Sequence, residues 1–300
     1  MIDEPAAGGA GHTAHATVSR QIIPTLHQRE LGIRLRSLRV ERGLSIEEVA
    51  ERLLSTPSRM RQLEAAASLP TETDLADLRM LFKLDDAAAD HLTELARESS
   101  QQGWWADYQD LGVPYIGLEQ HASSITTYTM QYFPALLQTG RYARAIIKAI
   151  APQIEPKILE ERVEARLRRQ HVLNSVNMPR YMVLLDEAVL RRPVGGRTVI
   201  YEQLDKVLSM IRARKVDLRI VPLEHSASLS QDSNFVLLQF NEPGPLPLVY
   251  VEGLAADHLL DDEQDVDRYL EEVERLKQVA LDFDDSVEHI EHARETYQGD

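Results

Sequence analysis

Apolar residues recur at helical intervals near the amino end of the chain. Leu31, Leu35 and Leu38 lie three or four positions apart, and Gly43 then supplies a helix stop signal. Ser45 follows at once, with a glutamate three positions later, which is the sequence signature of a capping box. The pattern predicts two consecutive helices joined by a tight turn.

A third helix is predicted from about Pro57 to Glu64, because Thr56 suits the N-cap and proline suits the first helical position. Its apolar positions, Met60 and Leu63, face inward. The opposite face carries hydrogen-bonding and cationic side chains, namely Ser58, Arg59, Arg61 and Gln62. Such a face suits the base edges and phosphates of DNA.

Two further helices complete the first predicted unit. The apolar spacing indicates one from Thr71 to Phe82 and another from Asp85 to Arg97, and the polar stretch from Glu98 to Gly103 is predicted to be a linker. Residues 1–27, rich in Gly, Ala and polar residues, are predicted to be a disordered arm. The five helices would then form a DNA-binding domain over residues 28–98.

The remainder, residues 104–300, is predicted to be a regulatory or sensor domain of α+β type. Residues 117–173 are predicted to be helical, and residues 180–253 to hold strands. Four short apolar strings bounded by turn residues predict the strands, namely YMVLLDE, DLRIVPL, NFVLLQF and LPLVYVEG. A helix from Val199 to Arg212 separates the first two. The predicted class is therefore mainly α, with a small four-stranded sheet in the carboxyl-terminal domain.

Residues 263–297 are predicted to form acidic helices, because an apolar stripe runs from Val266 to Leu281. From Gly253 to the end, sixteen acidic residues stand against four basic ones, a net charge of −12. The usual explanation is a solvated helix face. A docking surface for a basic partner, or an inhibitory lid that imitates DNA, remains an alternative.

Charge is distributed unevenly along the chain. The whole sequence carries −15, but between Arg29 and Gln62 eight arginines stand against five glutamates, which gives this stretch +3 and the rest −18. Phosphate neutralisation drives DNA affinity, so the contrast favours a small basic reading unit joined to an acidic body. Absence of cysteine excludes thiol chemistry, and no apolar run reaches the roughly 20 residues of a membrane span. We predict a cytoplasmic protein.

The sequence lacks the motifs of common enzymatic chemistry. Gly195 and Gly196 lack the spacing of phosphate-binding loops, and no G-x-S-x-G elbow occurs. His289 and His292 are not spaced like the ligands of a zinc helix. We predict no enzymatic activity, no cofactor and no metal. A cluster of basic residues at Arg166, Arg168, Arg169 and His171 is by default an exposed ion-paired helix face, and convergence on an acidic ligand is the alternative.

The strings LRSLRVERGLSIEEVAERL and SRMRQLE resemble the lambda-repressor-like, or Xre-type, helix-turn-helix over roughly Leu31 to Leu84. The resemblance implies that the third helix enters the major groove of DNA and that the second begins against the DNA backbone. The implied DNA-binding residues are Ser45, Ile46, Thr56, Ser58, Arg59, Arg61 and Gln62. Two departures are Leu54 in the turn and Ala66 in place of a common glycine, so we expect the loop after the third helix to be built differently.

The string PALLQTGRYA resembles the P-x-LLQT-x-x-YA signature of the carboxyl-terminal domain in WhiJ-like, antitoxin-like actinobacterial regulators. Further strings of that group follow in order, from LDEAVLRRPVGG to VYVEG. The resemblance implies a transcriptional regulator, often encoded beside a small partner protein. The residues predicted to contact a partner or ligand are Trp104, Trp105, Leu137, Gln138, Thr139 and Tyr142. For the two tryptophans, packing at the start of a new domain is the favoured interpretation.

These observations predict a sequence-specific transcriptional regulator that binds a double-stranded DNA operator. We expect a homodimer, because one helix-turn-helix reads few base pairs and two match a two-fold operator. The carboxyl-terminal domain would supply dimerisation and would sense a small partner protein or a small-molecule signal. An alternative is an antitoxin-like interaction module that sequesters a small partner protein, with DNA binding secondary.

Overall fold

A computed structural model of the chain describes residues 24–101, 103–108, 115–226, 234–241, 245–252 and 258–298. Most of the predicted disordered arm, residues 1–23, lies outside these ranges. Its last residues were assigned wrongly, because the first helix already begins at Leu26, with the Thr25 hydroxyl and the Gln28 side chain forming a capping box. Leu26 is buried in the core of the carboxyl-terminal unit.

Five helices form the amino-terminal unit, as the sequence predicts. They are α1 (Leu26–Glu41), α2 (Ile46–Arg52), α3 (Pro57–Glu64), α4 (Glu72–Leu81) and α5 (Asp86–Ser99). Each begins at a side chain that accepts a hydrogen bond from a backbone amide of the first turn, which satisfies a donor that the helix itself leaves free. Their leucines, with Met60 and Phe82, make one shared core.

The carboxyl-terminal unit contains both helices and strands. Its elements are α6 (Ile116–Glu119), β1 (Ser124–Thr129), α7 (Gly140–Ile150), α8 (Pro156–Arg169), β2 (Arg180–Asp186), α9 (Arg197–Arg212), β3 (Asp217–Val221), α10 (Leu223–Ser226), β4 (Phe235–Gln239), β5 (Leu248–Val251), β6 (His258–Leu260), α11 (Glu263–Val279) and α12 (Phe283–Tyr297). Short 3-10 turns lie at Trp104–Asp107, Ala135–Leu137, Gln170–Asn174 and Glu187–Arg191.

Within the described ranges, six strands make one mixed sheet in the order β3-β2-β1-β4-β5-β6. The pairs β1–β2 and β2–β3 are parallel, whereas β1–β4, β4–β5 and β5–β6 are antiparallel. Parallel neighbours need crossover connections, which α7 with α8 and then α9 provide. β1 therefore lies where the sheet changes from parallel to antiparallel pairing.

Helices cover both faces of the sheet. Along β2, Val183 and Leu185 join the core formed with α7, α9 and α12, whereas Leu184 joins the core formed with α11. This alternation follows from the two-residue period of a strand, and burial on both sides explains the nearly continuous apolar runs in the sequence. The predicted α+β class is confirmed, and the two acidic helices are present.

The predicted strand count and the predicted helical span of residues 117–173 are wrong. Four of the six strands match the predicted strings, but β1 and β6 were missed. β1 reads SITTYT, and its four hydroxyl-bearing Ser and Thr residues hide a strand whose six residues are all buried. Its backbone is paired on both edges, so tertiary contacts, not an apolar run, fix it. β6 has only three residues, which are too few to show the alternation of apolar and polar residues that predicts a strand.

Leu54 and Ala66 occupy the left-handed backbone region, with φ of 50° and 56°. The expectation that a non-glycine residue changes the loop after α3 is therefore wrong, because Ala66 adopts the conformation that glycine favours. Leu54 ends α2 in the same way, and its side chain is 98% exposed. Strain at Leu54 is thus not offset by apolar burial.

We expect Leu54→Gly to stabilise the protein by about 1 kcal/mol, because glycine removes the clash of Cβ with the backbone and no buried contact is lost. Urea unfolding followed by circular dichroism measures the change. Leu54→Ala is the matched control, since it shortens the side chain but keeps Cβ, and its effect should stay within about 0.5 kcal/mol. Equal stability of the two variants would contradict the inference that the backbone at Leu54 is strained.

Candidate nucleic-acid interface and a polar cavity

The orientation of α3 is fixed by an ion pair with α1. Arg39 donates from Nε to Glu64 Oε1 at 2.6 Å and from Nη2 to Glu64 Oε2 at 2.8 Å, and both side chains are mostly buried. The Nη1 atom also donates to the carbonyl of Leu44, in the turn before α2. One guanidinium therefore ties together the three helices that position the reading surface.

A close approach of two backbones accompanies this pair. At Gly32, in the middle of α1, an added Cβ would lie 2.6 Å from the carbonyl oxygen of Glu64. The absence of a side chain lets the end of α3 rest directly on α1. Glycine is therefore required at Gly32 for space, although it weakens a helix interior.

The outer surface of α3 is accessible, as the sequence predicts. Ser58, Arg61 and Gln62 are exposed and Arg59 is half-exposed, whereas Met60 and Leu63 are buried in the helical core. We call these four outward residues the reading face. Its polar atoms are therefore available to a ligand outside the helical core.

Both arginines of the reading face are paired with carboxylates of the same unit. Arg59 Nη2 lies 2.7 Å from Asp74 Oδ2, and Arg61 Nη2 lies 2.7 Å from Glu47 Oε1. Burial alone would raise the pKa of Asp74, but hydrogen bonds from the Thr71 backbone and from Arg59 hold it below its ordinary value. The carboxylate therefore stays ionised at neutral pH.

The three remaining predicted DNA contacts lie at the starts of α2 and α3. Ser45 and Thr56 are exposed caps, whose hydroxyls accept from the amides of Glu48 and Arg59. Ile46 is half-buried and packs against the core of the amino-terminal unit. These positions border the reading face.

A second site lies in the carboxyl-terminal unit, at the edge where β1 ends and β4 begins. It is a cavity of about 130 Å³ between the sheet, α8 and the turn after β1. Aromatic and aliphatic side chains line it together with Glu119, Gln138, Arg166, Arg169 and Glu252. In a mixed sheet, the carboxyl ends of parallel strands beside a change of direction are a common place for ligands.

The wall of this cavity is held by a buried ion pair. Arg169 donates from Nε and Nη2 to the two carboxylate oxygens of Glu119, at 3.1 and 2.8 Å, and from Nη2 to the Tyr115 hydroxyl at 3.2 Å. Only 4% and 2% of the two charged side chains are exposed. Burial alone would lower the pKa of Arg169, but Glu119 raises it above its ordinary value. The Arg169 guanidinium is therefore cationic.

Arg166 lies one helical turn earlier and is bound differently. Its Nη1 donates to Gln138 Oε1 at 2.9 Å, and among the described residues no carboxylate lies within ion-pair distance of it. Burial, together with the nearby charge of Arg169, lowers the pKa of Arg166 to about 10, although Glu252 opposes this shift. The guanidinium remains cationic at neutral pH. The cluster is thus not the wholly exposed helix face that the sequence favours by default.

The string PALLQTGRYA contributes some residues to the lining of the cavity and others to the core around it. Gln138 faces it, with Nε2 donating to the Phe133 carbonyl at 2.6 Å. Leu137 and Tyr142 are fully buried in the core, and Thr139 caps α7 while its amide donates to Gln203. Burial raises the pKa of Tyr142 to about 12.

Trp104 and Trp105 lie away from the lining of the cavity. The guanidinium carbon of Arg168 lies 4.6 Å from the centre of the Trp104 ring. Trp105 rests on Gly117, where an added Cβ would lie 2.7 Å from the ring. Both tryptophans are half-buried. Their contacts agree with the favoured interpretation, in which they pack at the start of the second unit.

The two units meet at the start of α1. Leu26 shares a core with Leu118 of α6 and with Tyr115, and the His27 ring lies edge-on to His121 with centroids 4.9 Å apart. Arg29 Nη1 also lies 2.9 Å from Asp261 Oδ2, before α11. We call this contact the joint. Sequence reasoning missed it, because Leu26 stands alone before the periodic stripe.

The paired helices, their tight turn and the accessible reading face define the helix-turn-helix class of DNA-binding regulator. Residues 30–92 match a family described as a helix-turn-helix domain. Residues 114–292, more than half of the chain, match the family described as a domain of unknown function, DUF5753, and the protein belongs to this family. No curated protein and no solved structure matches the chain.

No helix in the described ranges combines the length and apolarity needed to cross a membrane. Within the same part of the chain, no three His, Asp or Glu side chains are grouped so as to hold a metal ion.

We expect Gly32→Ala to destabilise the protein by about 1–3 kcal/mol, because the new methyl group collides with the Glu64 backbone, which cannot move aside without shifting α3. Thermal unfolding measures the loss. Ser37→Ala, on the same helix at a half-exposed position, is the control, and its effect should be near zero. A Gly32→Ala protein more stable than the parent would show that helix propensity, not the close approach, decides this position.

Proposed function

We propose that the protein is a non-enzymatic, sequence-specific transcriptional regulator of the Xre type that acts in the cytoplasm. The observation that carries this proposal is the accessible reading face on a rigidly anchored α3. In the proposed complex, α3 lies in the major groove, where Arg61 and Gln62 reach base edges and Ser58 and Arg59 reach bases or the backbone. Ser45, Ile46 and Thr56 lie beside the phosphates.

When DNA binds, it competes with the carboxylates that pair with the two arginines of the reading face. Arg61 and Glu47 are both more than half exposed, so their pair is weak in water, and a phosphate or a guanine edge competes for the guanidinium. Arg59 is held more firmly, because Asp74 is mostly buried. We therefore assign sequence reading chiefly to Arg61 and Gln62, and positioning to Arg59.

We further propose a homodimer on a two-fold operator with half-sites about one DNA turn apart. The carboxyl-terminal domain would mediate dimerisation and sense a signal. The joint supports this assignment, because Leu26 of α1 is buried in the core of that domain, so a change in the domain reaches the reading unit through packed side chains.

Arg61→Ala with Gln62→Ala should weaken binding to a DNA fragment selected by the purified protein from random sequence by about 10- to 100-fold, which corresponds to one good base contact. Fluorescence anisotropy at fixed salt measures the affinity. Arg79→Ala is the control, because Arg79 is exposed on α4 and pairs with Asp86, away from the reading face. Unchanged affinity in the double variant with intact folding would remove the reading face from the proposal and favour the partner-holding, antitoxin-like alternative.

Glu47→Gln should tighten DNA binding several-fold, because it frees Arg61 and removes a negative charge beside the phosphates. The gain should disappear in an Arg61→Ala background, which a double-mutant cycle tests. Glu41→Gln, an exposed change of equal charge at the end of α1, is the matched control. Equal gains from the two substitutions would indicate a general charge effect without a specific role for Arg61.

A further inference from the structure

We propose that the cavity at the end of β1 binds a small organic monocarboxylate with an apolar body, and that Arg166 is its anion-binding residue. Three observations support this: the charges that surround the cavity, the composition of its walls, and its connection to the joint. The binding site is independent of DNA recognition. Its coupling to DNA rests on the proposed function.

The charged residues around the cavity favour a ligand with a single negative charge. Arg169 is already neutralised by Glu119 through two hydrogen bonds, so it has little capacity for another anion. Arg166 has one hydrogen bond, to a neutral amide, and most of its donors remain for a ligand. One positive charge with unused donors matches one carboxylate group.

The side chains that line the cavity favour a ligand whose remaining part is apolar. Tyr115, Phe133 and Tyr181 contribute aromatic surface, and Ile125 and Ile146 contribute aliphatic surface. Ile150, which is 63% exposed, and the exposed Glu252 mark the opening. Such a mostly apolar pocket with one convergent cation is typical of sites for small organic acids. A cavity of about 130 Å³ admits a small molecule but no protein segment of any length.

The cavity is connected to the amino-terminal unit through α6. Glu119 and Tyr115 line the cavity, and Leu118 between them belongs to the same buried core as Leu26 of α1. A ligand that draws Arg166 inward changes the charge balance around the Glu119–Arg169 pair, and α6 transmits this change to the joint. DNA affinity is then sensitive to the ligand.

The test titrates the full-length protein with benzoate, phenylacetate, 4-methylpentanoate and hexanoate, and with the neutral benzamide, by isothermal calorimetry without DNA. We expect saturable binding of at least one carboxylate and at least tenfold weaker binding of the amide. Arg166→Gln should lose at least tenfold in affinity, whereas Arg141→Gln, an exposed loss of equal charge in the same unit, should not. Absence of saturable binding by all four acids, or equal affinity for acid and amide, overturns the proposal.

A second variant covers the case in which Arg166→Gln fails to fold. Ala135 lines the cavity and is half-buried, so Ala135→Leu narrows the space while it leaves Arg166 intact. Carboxylate binding should be lost in this variant, and full affinity would overturn the location of the site. If the parent protein binds the acid but does not bind DNA, the proposed function is overturned and the ligand site is not. If it binds both but the acid leaves the affinity for DNA unchanged, only the coupling is overturned.

Discussion

The ion pair between Glu119 and Arg169 is the interaction on which the arrangement of this protein depends. It joins α6, just after the connection between the units, to the end of α8, and it does so with two charges that water barely reaches. Removal of one partner would leave the other charge buried, at a cost of about 3–5 kcal/mol. With the pair in place, α6 contributes Glu119 to the cavity wall and Leu118 to the core that also contains Leu26 of α1.

The reading unit is organised by a second ion pair of the same kind. Arg39 and Glu64 fix α3 on α1, and Gly32 lets their backbones touch. Each unit therefore contains an arginine that holds the structure together and at least one arginine with capacity for a ligand. In the amino-terminal unit these are Arg59 and Arg61, whose carboxylate partners are local, and in the carboxyl-terminal unit it is Arg166.

The fold shows where the acidic residues at the end of the chain lie. The acidic helices α11 and α12 pack their apolar stripes on the sheet and on α9, which agrees with a solvated acidic face. The acidic body thus does not need a basic partner to be folded. Its negative field disfavours a second DNA surface, which agrees with the proposed DNA contact through the stretch from Arg29 to Gln62, where the net charge is +3.

The amino-acid sequence by itself determined the features that are encoded within a few neighbouring residues. Caps at Ser45 and Thr56, the outward polar positions of α3 and the apolar runs of β2 and β3 are local, so periodicity and capping chemistry predict them. Tertiary structure alone decided that SITTYT is a central strand, that Ala66 adopts a left-handed backbone, that Leu26 belongs to the second core and that Arg166 and Arg169 face inward. These depend on residues far along the chain, such as Glu119, 50 positions from Arg169, and Gln239, which pairs with Ser124 of β1 across 115 positions, and no spacing rule brings such residues together.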